Sequence, residues 1–239
     1  MSKDDEPEDK NVRKVWETIG DRDPYCGTGG PTRVIPAAGQ FAKPDSSLFI
    51  LTSPDDLVLD VGCGYGRNSI PLANDGRNLI ACDVSLSMTR TLREVGIPFI
   101  LCDLRDLPFR DQSLNSLICS AVLIHLRRRE IGEAVSELKR VAKRVLIIMP
   151  NPLGPASAFG LKPFLFALMI WVKQLPARVS PPRKVFEDIP APRGYIVNFY
   201  APWTFRNWLK RFFDSVRMVP AMQGDTPYLT DRLVFVCED

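Results

Sequence analysis

Between positions 60 and 103, acids and glycines recur at a spacing that can do chemistry. Asp60 stands before three alternating glycines, Gly62, Gly64 and Gly66, in Asp60-Val61-Gly62-Cys63-Gly64-Tyr65-Gly66. Asp83 and Asp103 follow, each at the end of a short apolar run. Glycine lets a ligand approach the backbone closely and permits the positive φ of a tight turn. An acid about 20 residues beyond such glycines is placed to accept hydrogen bonds from ribose hydroxyls. His125, the single histidine of the chain, follows a fourth apolar run and is the best candidate for a general base. Its other reading is a helix-flanking residue bonded to backbone.

The spacing separates two kinds of nucleotide ligand. The dinucleotide fingerprint G-x-G-x-x-G calls for glycine where this chain has Arg67, and it has no use for Asp60. A pyrophosphate needs no carboxylate beside it, whereas a sulfonium and an α-amino group are cations. A nicotinamide-dependent oxidoreductase is therefore the weaker reading.

These residues need a scaffold that brings strand ends together. Apolar runs at 57–61, 78–82, 99–102, 117–121 and 144–149 read as strands buried on both faces, hence parallel. Helices are expected at 67–74, 86–95 and 131–142, the last with Ile131, Ala134, Val135, Leu138, Val141 and Ala142 in one stripe. The result is an α/β, Rossmann-like, doubly wound and mostly parallel sheet of about seven strands, whose ligands sit at the carboxyl edge. Residues 1–10 are nearly all polar or charged and read as a disordered tail. Val12, Val15, Trp16 and Ile19 then make a short amphipathic helix that Gly20 should stop, serving as a pocket lid or a packed flank. A single domain over 11–239 is expected: a cofactor core at 55–151, a helical and Pro-rich lid insertion at 152–203, and a C-terminal helix (204–213) with an antiparallel hairpin (216–221 and 233–237) at 204–239.

The glycine loop, with Ala81-Cys82-Asp83-Val84-Ser85 and Cys102-Asp103-Leu104-Arg105-Asp106-Leu107-Pro108-Phe109, resembles the class I S-adenosylmethionine-dependent methyltransferases of the broad type-11 group over roughly residues 55–151. The resemblance implies S-adenosylmethionine as cofactor. Asp60 and the Gly62, Cys63, Gly64 and Gly66 loop would hold its methionine part. Asp83, beside Val84, would hold the ribose hydroxyls, Asp103 with the Leu104 backbone the adenine, and Ser120 would lie by the methyl group. The chain departs from the group at Leu114-Asn115, where an acidic Phe-Asp pair is common, and at Ile124-His125-Leu126, where the ending is commonly His-His-Leu-like. Both departures bear on the acceptor rather than on the cofactor.

The acceptor stays open between a small aromatic or lipid-like molecule and RNA. The apolar segment 163–172 and the aromatics Phe199, Tyr200 and Trp203 fall in the insertion, where they would either line a pocket or pack in the core. If 163–172 is exposed, it would contact a membrane surface. Basic clusters at 127–129, 139–140, 143–144 and 210–211 permit RNA, although 31 basic residues against 28 acidic ones are too balanced to demand it. Asn151-Pro152-Leu153-Gly154 lacks the aromatic that would grip a flipped base amine, so methylation of an adenine amine is disfavoured; DNA is not an expected partner. No metal-ligand spacing is evident, and the cysteines read as reduced and buried. A non-catalytic adenosyl-binding subunit would use the same glycines. No leader and no apolar run near the roughly 20 residues of a membrane span are seen, so a cytoplasmic location is expected.

Overall fold

In a computed structural model, residues 9–22, 44–151, 177–178, 184–186, 189–190, 196, 198–222, 230 and 232–239 are described. Helix α1 spans Asp9–Arg22, so helix already covers the last two positions of the expected tail. There follow α2 (Leu48–Leu51), β1 (Leu57–Val61), α3 (Ser69–Asn74), β2 (Asn78–Asp83), α4 (Arg90–Glu94), β3 (Phe99–Leu101) and β4 (Leu114–Ser120). A 3-10 turn at Leu123–His125 leads to α5 (Glu130–Val141) and β5 (Ala142–Pro150). The chain ends with α6 (Pro202–Leu209), β6 (Ser215–Pro220) and β7 (Arg232–Glu238). In the insertion, the described residues form two short antiparallel pairs, Ala177–Arg178 with Asn198–Phe199 and Lys184–Phe186 with Ile189–Pro190. The apolar segment 163–172 and the turn after Arg22 lie outside the described residues.

The seven strands form one sheet in the order β6-β7-β5-β4-β1-β2-β3, parallel from β5 to β3 and antiparallel where β7 joins β5 and β6. Burial on both faces explains the nearly continuous apolar runs. Along the central strands alternate residues serve opposite layers. Leu59, Leu117, Val145, Ile147 and Phe235 pack with α5 and α6, while Val58, Ile118, Leu146, Ile148 and Val234 pack with Leu48, Ile70, Leu72 and Leu92. Each such aliphatic side chain contributes about 1.5–3 kcal/mol by leaving water. Phe235, 1% exposed, touches the first layer at its centre, and its truncation to alanine would cost about 3–5 kcal/mol.

Gly20 does not end α1. A Cβ there would lie 2.8 Å from Met88 N and from Ser87 Cβ, so its bare backbone lets the last turn of the helix press against the loop after β2. Glu17 reinforces the contact by accepting the amides of Leu86 (2.9 Å) and Ser87 (3.1 Å). This docking, with Ser85 Oγ accepting Met88 N–H at 3.3 Å, also shortens α4 from the expected 86–95, because residues 86–88 spend their amides on side chains instead of on a helix.

Candidate active site

The cavity lies at the carboxyl edge of β1, β2 and β4, where the parallel strands release their loops. Its volume is about 310 Å3, at the low end of the roughly 300–1,000 Å3 typical of small-molecule sites. Asp60, Gly62, Cys63, Gly64, Asp83, Val84, Asp103, Leu104, Ser120 and His125 all line it, with Val12 and Trp16 of α1. Helix α1 is thus a wall of the cavity, docked by its other end. Gly66 is not among the lining residues; its amide donates to Cys63 O at 3.0 Å and it packs beside Leu92 and Ile70, so it shapes the loop from behind.

The glycine turn is fixed by backbone and by acids. Gly62 has φ +65°, and a Cβ on it would fall 2.3 Å from Val122 Cγ2. Gly64 N–H donates to Asp83 Oδ2 and Ser85 N–H to Asp83 Oδ1, each at 2.9 Å, so one carboxylate ties the β1 loop to the β2 loop. Burial pushes the Asp83 carboxyl up to about 6, against the backbone bonds that favour its charge. Asp60 is pushed up to about 7 by burial, opposed by the Ser69 hydroxyl that donates to Oδ2 at 2.5 Å and by the charge of Arg67. Two buried carboxylates near their protonation midpoints invite a cationic ligand, whose charge would hold both ionised.

Asp103 is set differently. Burial opposes its charge, yet Arg105 overrides this with a fork: Nε donates to Oδ1 at 2.9 Å and Nη2 to Oδ2 at 2.8 Å, holding the carboxyl below its usual range. Arg105 also reaches Glu130 at 3.3 Å, which fixes the loop after β3 to the start of α5.

His125 sits on the 3-10 turn after β4, partly buried, with Trp16 edge-to-face at 4.8 Å and 76°. Its Nδ1 is 2.8 Å from the carbonyl of Ile196; a carbonyl only accepts, so Nδ1 carries the proton and Nε2 is the basic nitrogen. Desolvation pushes the imidazole down to about 4, so it is neutral at pH 7. Asn198 clamps the same turn, its amide donating to Ile124 O (3.0 Å) and Leu126 O (2.9 Å). Tyr200, expected near the lid, packs on Phe205 at 5.1 Å beside the core. Sequence reasoning missed Asn198, Asp45 and the lining role of Arg67 and Asn68; their partners are dozens of residues away, and no local pattern marks them.

A family model described as a methyltransferase domain matches residues 58–144. The matched stretch runs from β1 into β5 and carries the turns that line the cavity. A probable tRNA methyltransferase 9B of Mus musculus is 29% identical over 137 residues, 57% of this chain and 28% of that one. A demethylmenaquinone methyltransferase of Corynebacterium kroppenstedtii is 22% identical over 162 residues, 68% of this chain and 67% of that one. The chain thus spans little more than a quarter of the mouse relative's length. Magnesium protoporphyrin IX methyltransferase from Synechocystis, solved with bound cofactor, superposes with a TM-score of 0.60 at 17% identity over 100% of both chains, which establishes the fold. Among the described residues no acid, cysteine and histidine cluster could hold a metal, and no helix is long and apolar enough to cross a membrane.

Proposed function

We propose that this chain transfers a methyl group from S-adenosylmethionine to a small, largely apolar or aromatic acceptor. The observation that carries the reading is one cavity with two characters: buried carboxylates Asp60 and Asp83 on one side, and Val12, Trp16, Val122 and Leu126 around a neutral histidine on the other. The cofactor fits the acidic side. Asp60 and the Gly62, Cys63 and Gly64 backbone would hold the methionine end, Asp83 with Val84 the ribose, and Asp103 with Leu104 the adenine. When bound, S-adenosylmethionine supplies an electrophilic methyl group on a sulfonium.

The protein's own work is then mostly positioning, because a single displacement gains most from holding nucleophile and methyl in line. Ser120 would sit by the methyl, and Trp16 and His125 form the wall against which an acceptor ring would lie. As a hydroxyl, amine or carbon acceptor takes the methyl, it becomes strongly acidic and its proton passes to His125 Nε2. A base pushed down to about 4 suits that late transfer and stays unprotonated beforehand at neutral pH.

RNA is the second reading, favoured by the name of the mouse relative and by exposed Arg128 and Arg129 just past the His125 turn. Against it, other basic clusters are used internally: Arg140 binds Glu137 and Asp111, Arg144 binds Glu238, and Lys139 binds Asp239. The test is transfer of label from methyl-labelled S-adenosylmethionine to a panel of hydroxylated quinone-like rings, catechols and bulk tRNA. Label in the small aromatics supports the proposal, and label in tRNA alone replaces its acceptor half. No transfer from a cofactor-binding sample would favour a non-catalytic adenosyl-binding subunit.

A further inference from the structure

Of the five described cysteines, Cys63, Cys82, Cys119 and Cys237 are buried and Cys102 is half-buried. Cys102 lines the cavity just past the end of β3, next to Asp103 and Leu104. Cys82 stands one residue before the end of β2 and is 1% exposed. In the parallel pairing of these strands Cys82 is opposite Ile100, so Cys102, two residues on, points to the same face as Cys82. Their thiols meet there, Cys82 donating a hydrogen bond to the Cys102 sulfur.

That contact polarises the pair. The bond from Cys82 holds the Cys102 thiol below its ordinary value, although burial and the charges of Asp103, Asp83 and Asp106 oppose it. The same bond, together with burial, pushes Cys82 up. The thiolate is the nucleophile of sulfur chemistry, so Cys102 is the attacking group and Cys82 the proton-bearing partner beside it. Burial pushes the Cys63, Cys119 and Cys237 thiols up, which leaves them inert. An accessible, acidified cysteine with a second thiol in contact is the arrangement that responds to peroxides.

We infer that Cys102 and Cys82 form a peroxide-sensitive dithiol whose oxidation to a disulfide closes the nucleoside end of the cavity. In the first step the Cys102 sulfur attacks one oxygen of hydrogen peroxide. The O–O bond breaks, an S–O bond forms, and the other oxygen leaves as water with the proton that the Cys102 thiol had released. Sulfur gives up two electrons and the peroxide accepts them. The Cys82 sulfur then attacks that of Cys102: an S–S bond forms, the S–O bond breaks, and the hydroxyl leaves as water with the Cys82 proton.

Adjacent strands lie about 4.8 Å apart and rise about 3.3 Å per residue, so α-carbons on this diagonal are about 8 Å apart, beyond the roughly 7 Å that a disulfide spans. Bridging therefore draws the end of β3 inward. That strand can yield, because it has three residues and is the last of the sheet, paired on one side only. Asp103 moves with Cys102, away from its place opposite the β2 end that carries Asp83. On the cofactor reading above, these acids hold adenine and ribose, so the bridged chain loses its grip on the nucleoside, and a bound nucleoside covers Cys102.

The test treats the full chain, reduced and then freed of reductant, with hydrogen peroxide, alkylates the remaining thiols and maps the cysteines by mass spectrometry. A Cys82–Cys102 bridge is expected, formed several-fold more slowly when S-adenosylhomocysteine is saturating. In calorimetry the bridged chain should bind S-adenosylhomocysteine at least about tenfold more weakly than the reduced chain, and dithiothreitol should restore the affinity. Cys82→Ser should stop at a Cys102 sulfenic acid that dimedone traps, and Cys102→Ser should form neither product. Peroxide that leaves Cys82 and Cys102 reduced, or that oxidises other cysteines first, overturns the inference, even if neither variant folds. A bridge that leaves the affinity unchanged overturns the closing of the cavity. A reduced wild type that does not bind S-adenosylhomocysteine overturns the cofactor reading instead, and the mapped bridge still decides the dithiol.

Discussion

On the acidic side of the cavity, Asp60, Gly62, Gly64 and Asp83 belong to a parallel sheet and the turns that leave it, and their contacts are mostly to neighbouring backbone. The Asp83 carboxylate receives the Gly64 and Ser85 amides, and Cys63 N–H donates to Cys82 O at 3.0 Å. On the opposite side, Trp16, Val122, His125 and Leu126 come from a separate helix and a single 3-10 turn. They are tied by Ile196 and Asn198, which lie more than 70 residues downstream. The first side is thus built by the strand order itself, the second by a few long-range clasps. A common cofactor suits a surface dictated by the fold; an acceptor suits one that few residues can reshape.

Gly62 is the position where the acidic side is most vulnerable. Gly62→Ala combines a positive φ with a clash against Val122, so S-adenosylhomocysteine affinity should fall by at least about a hundredfold in calorimetry. If an alanine is tolerated there without loss, the acidic side does not depend on its backbone. Next comes His125→Ala, expected to slow methyl transfer to its acceptor by about a hundredfold while cofactor affinity stays within about twofold. Loss of both together would mean that the two sides are not separable. Asp83→Ala should weaken S-adenosylhomocysteine about tenfold or more and lower the melting temperature, because the Gly64 and Ser85 amides lose their shared acceptor.

Protonation gives a smaller effect that again sorts the two sides. The folded-state carboxyls of Asp60 and Asp83 are raised to about 7 and about 6, so between about pH 4 and 7 the folded chain holds protons the unfolded chain has released. Their contribution to stability is present at low pH and is lost as pH rises through that window. A cationic ligand needs them ionised, so S-adenosylmethionine should bind about tenfold more tightly at pH 8 than at pH 5.5, with proton release visible as a buffer-dependent heat. His125 runs the other way: its lowered value means the unfolded chain takes up a proton first, costing stability as pH falls from about 6.5 towards 4. Smallest of all, Asn198→Ala should reduce turnover only a few-fold by loosening the His125 turn, without changing cofactor affinity. Its buried amide makes two bonds, so melting should fall by a few degrees.

The same division explains what could be read from the sequence. Strand β1 lies where its apolar run predicts, because Gly62 follows at once and every residue but the buried Asp60 is aliphatic. Strand β4 begins at Leu114, three residues before the apolar run, since Asn115 and Ser116 look like loop residues. Their side chains instead satisfy the sheet edge, Asn115 Oδ1 accepting Leu57 N–H at 3.0 Å and Ser116 Oγ donating to Asp56 Oδ2 at 2.7 Å. Helix α6 starts at Pro202, two residues before the expected 204, because a proline with its fixed φ and missing N–H suits the first helical turn. The acids at strand ends were visible because period and spacing are local. Asn198 and Asp45 were not, because what fixes each is a partner brought close only by the finished fold.

If the acidic side is a site for a sulfonium nucleoside, one titration reports it directly. Purified wild-type protein, shown to melt cooperatively, is titrated with S-adenosylhomocysteine and with NADH in the same buffer. Saturable one-to-one binding of S-adenosylhomocysteine with no response to NADH is the predicted result. Silence towards S-adenosylhomocysteine, or binding of NADH in its place, would contradict it.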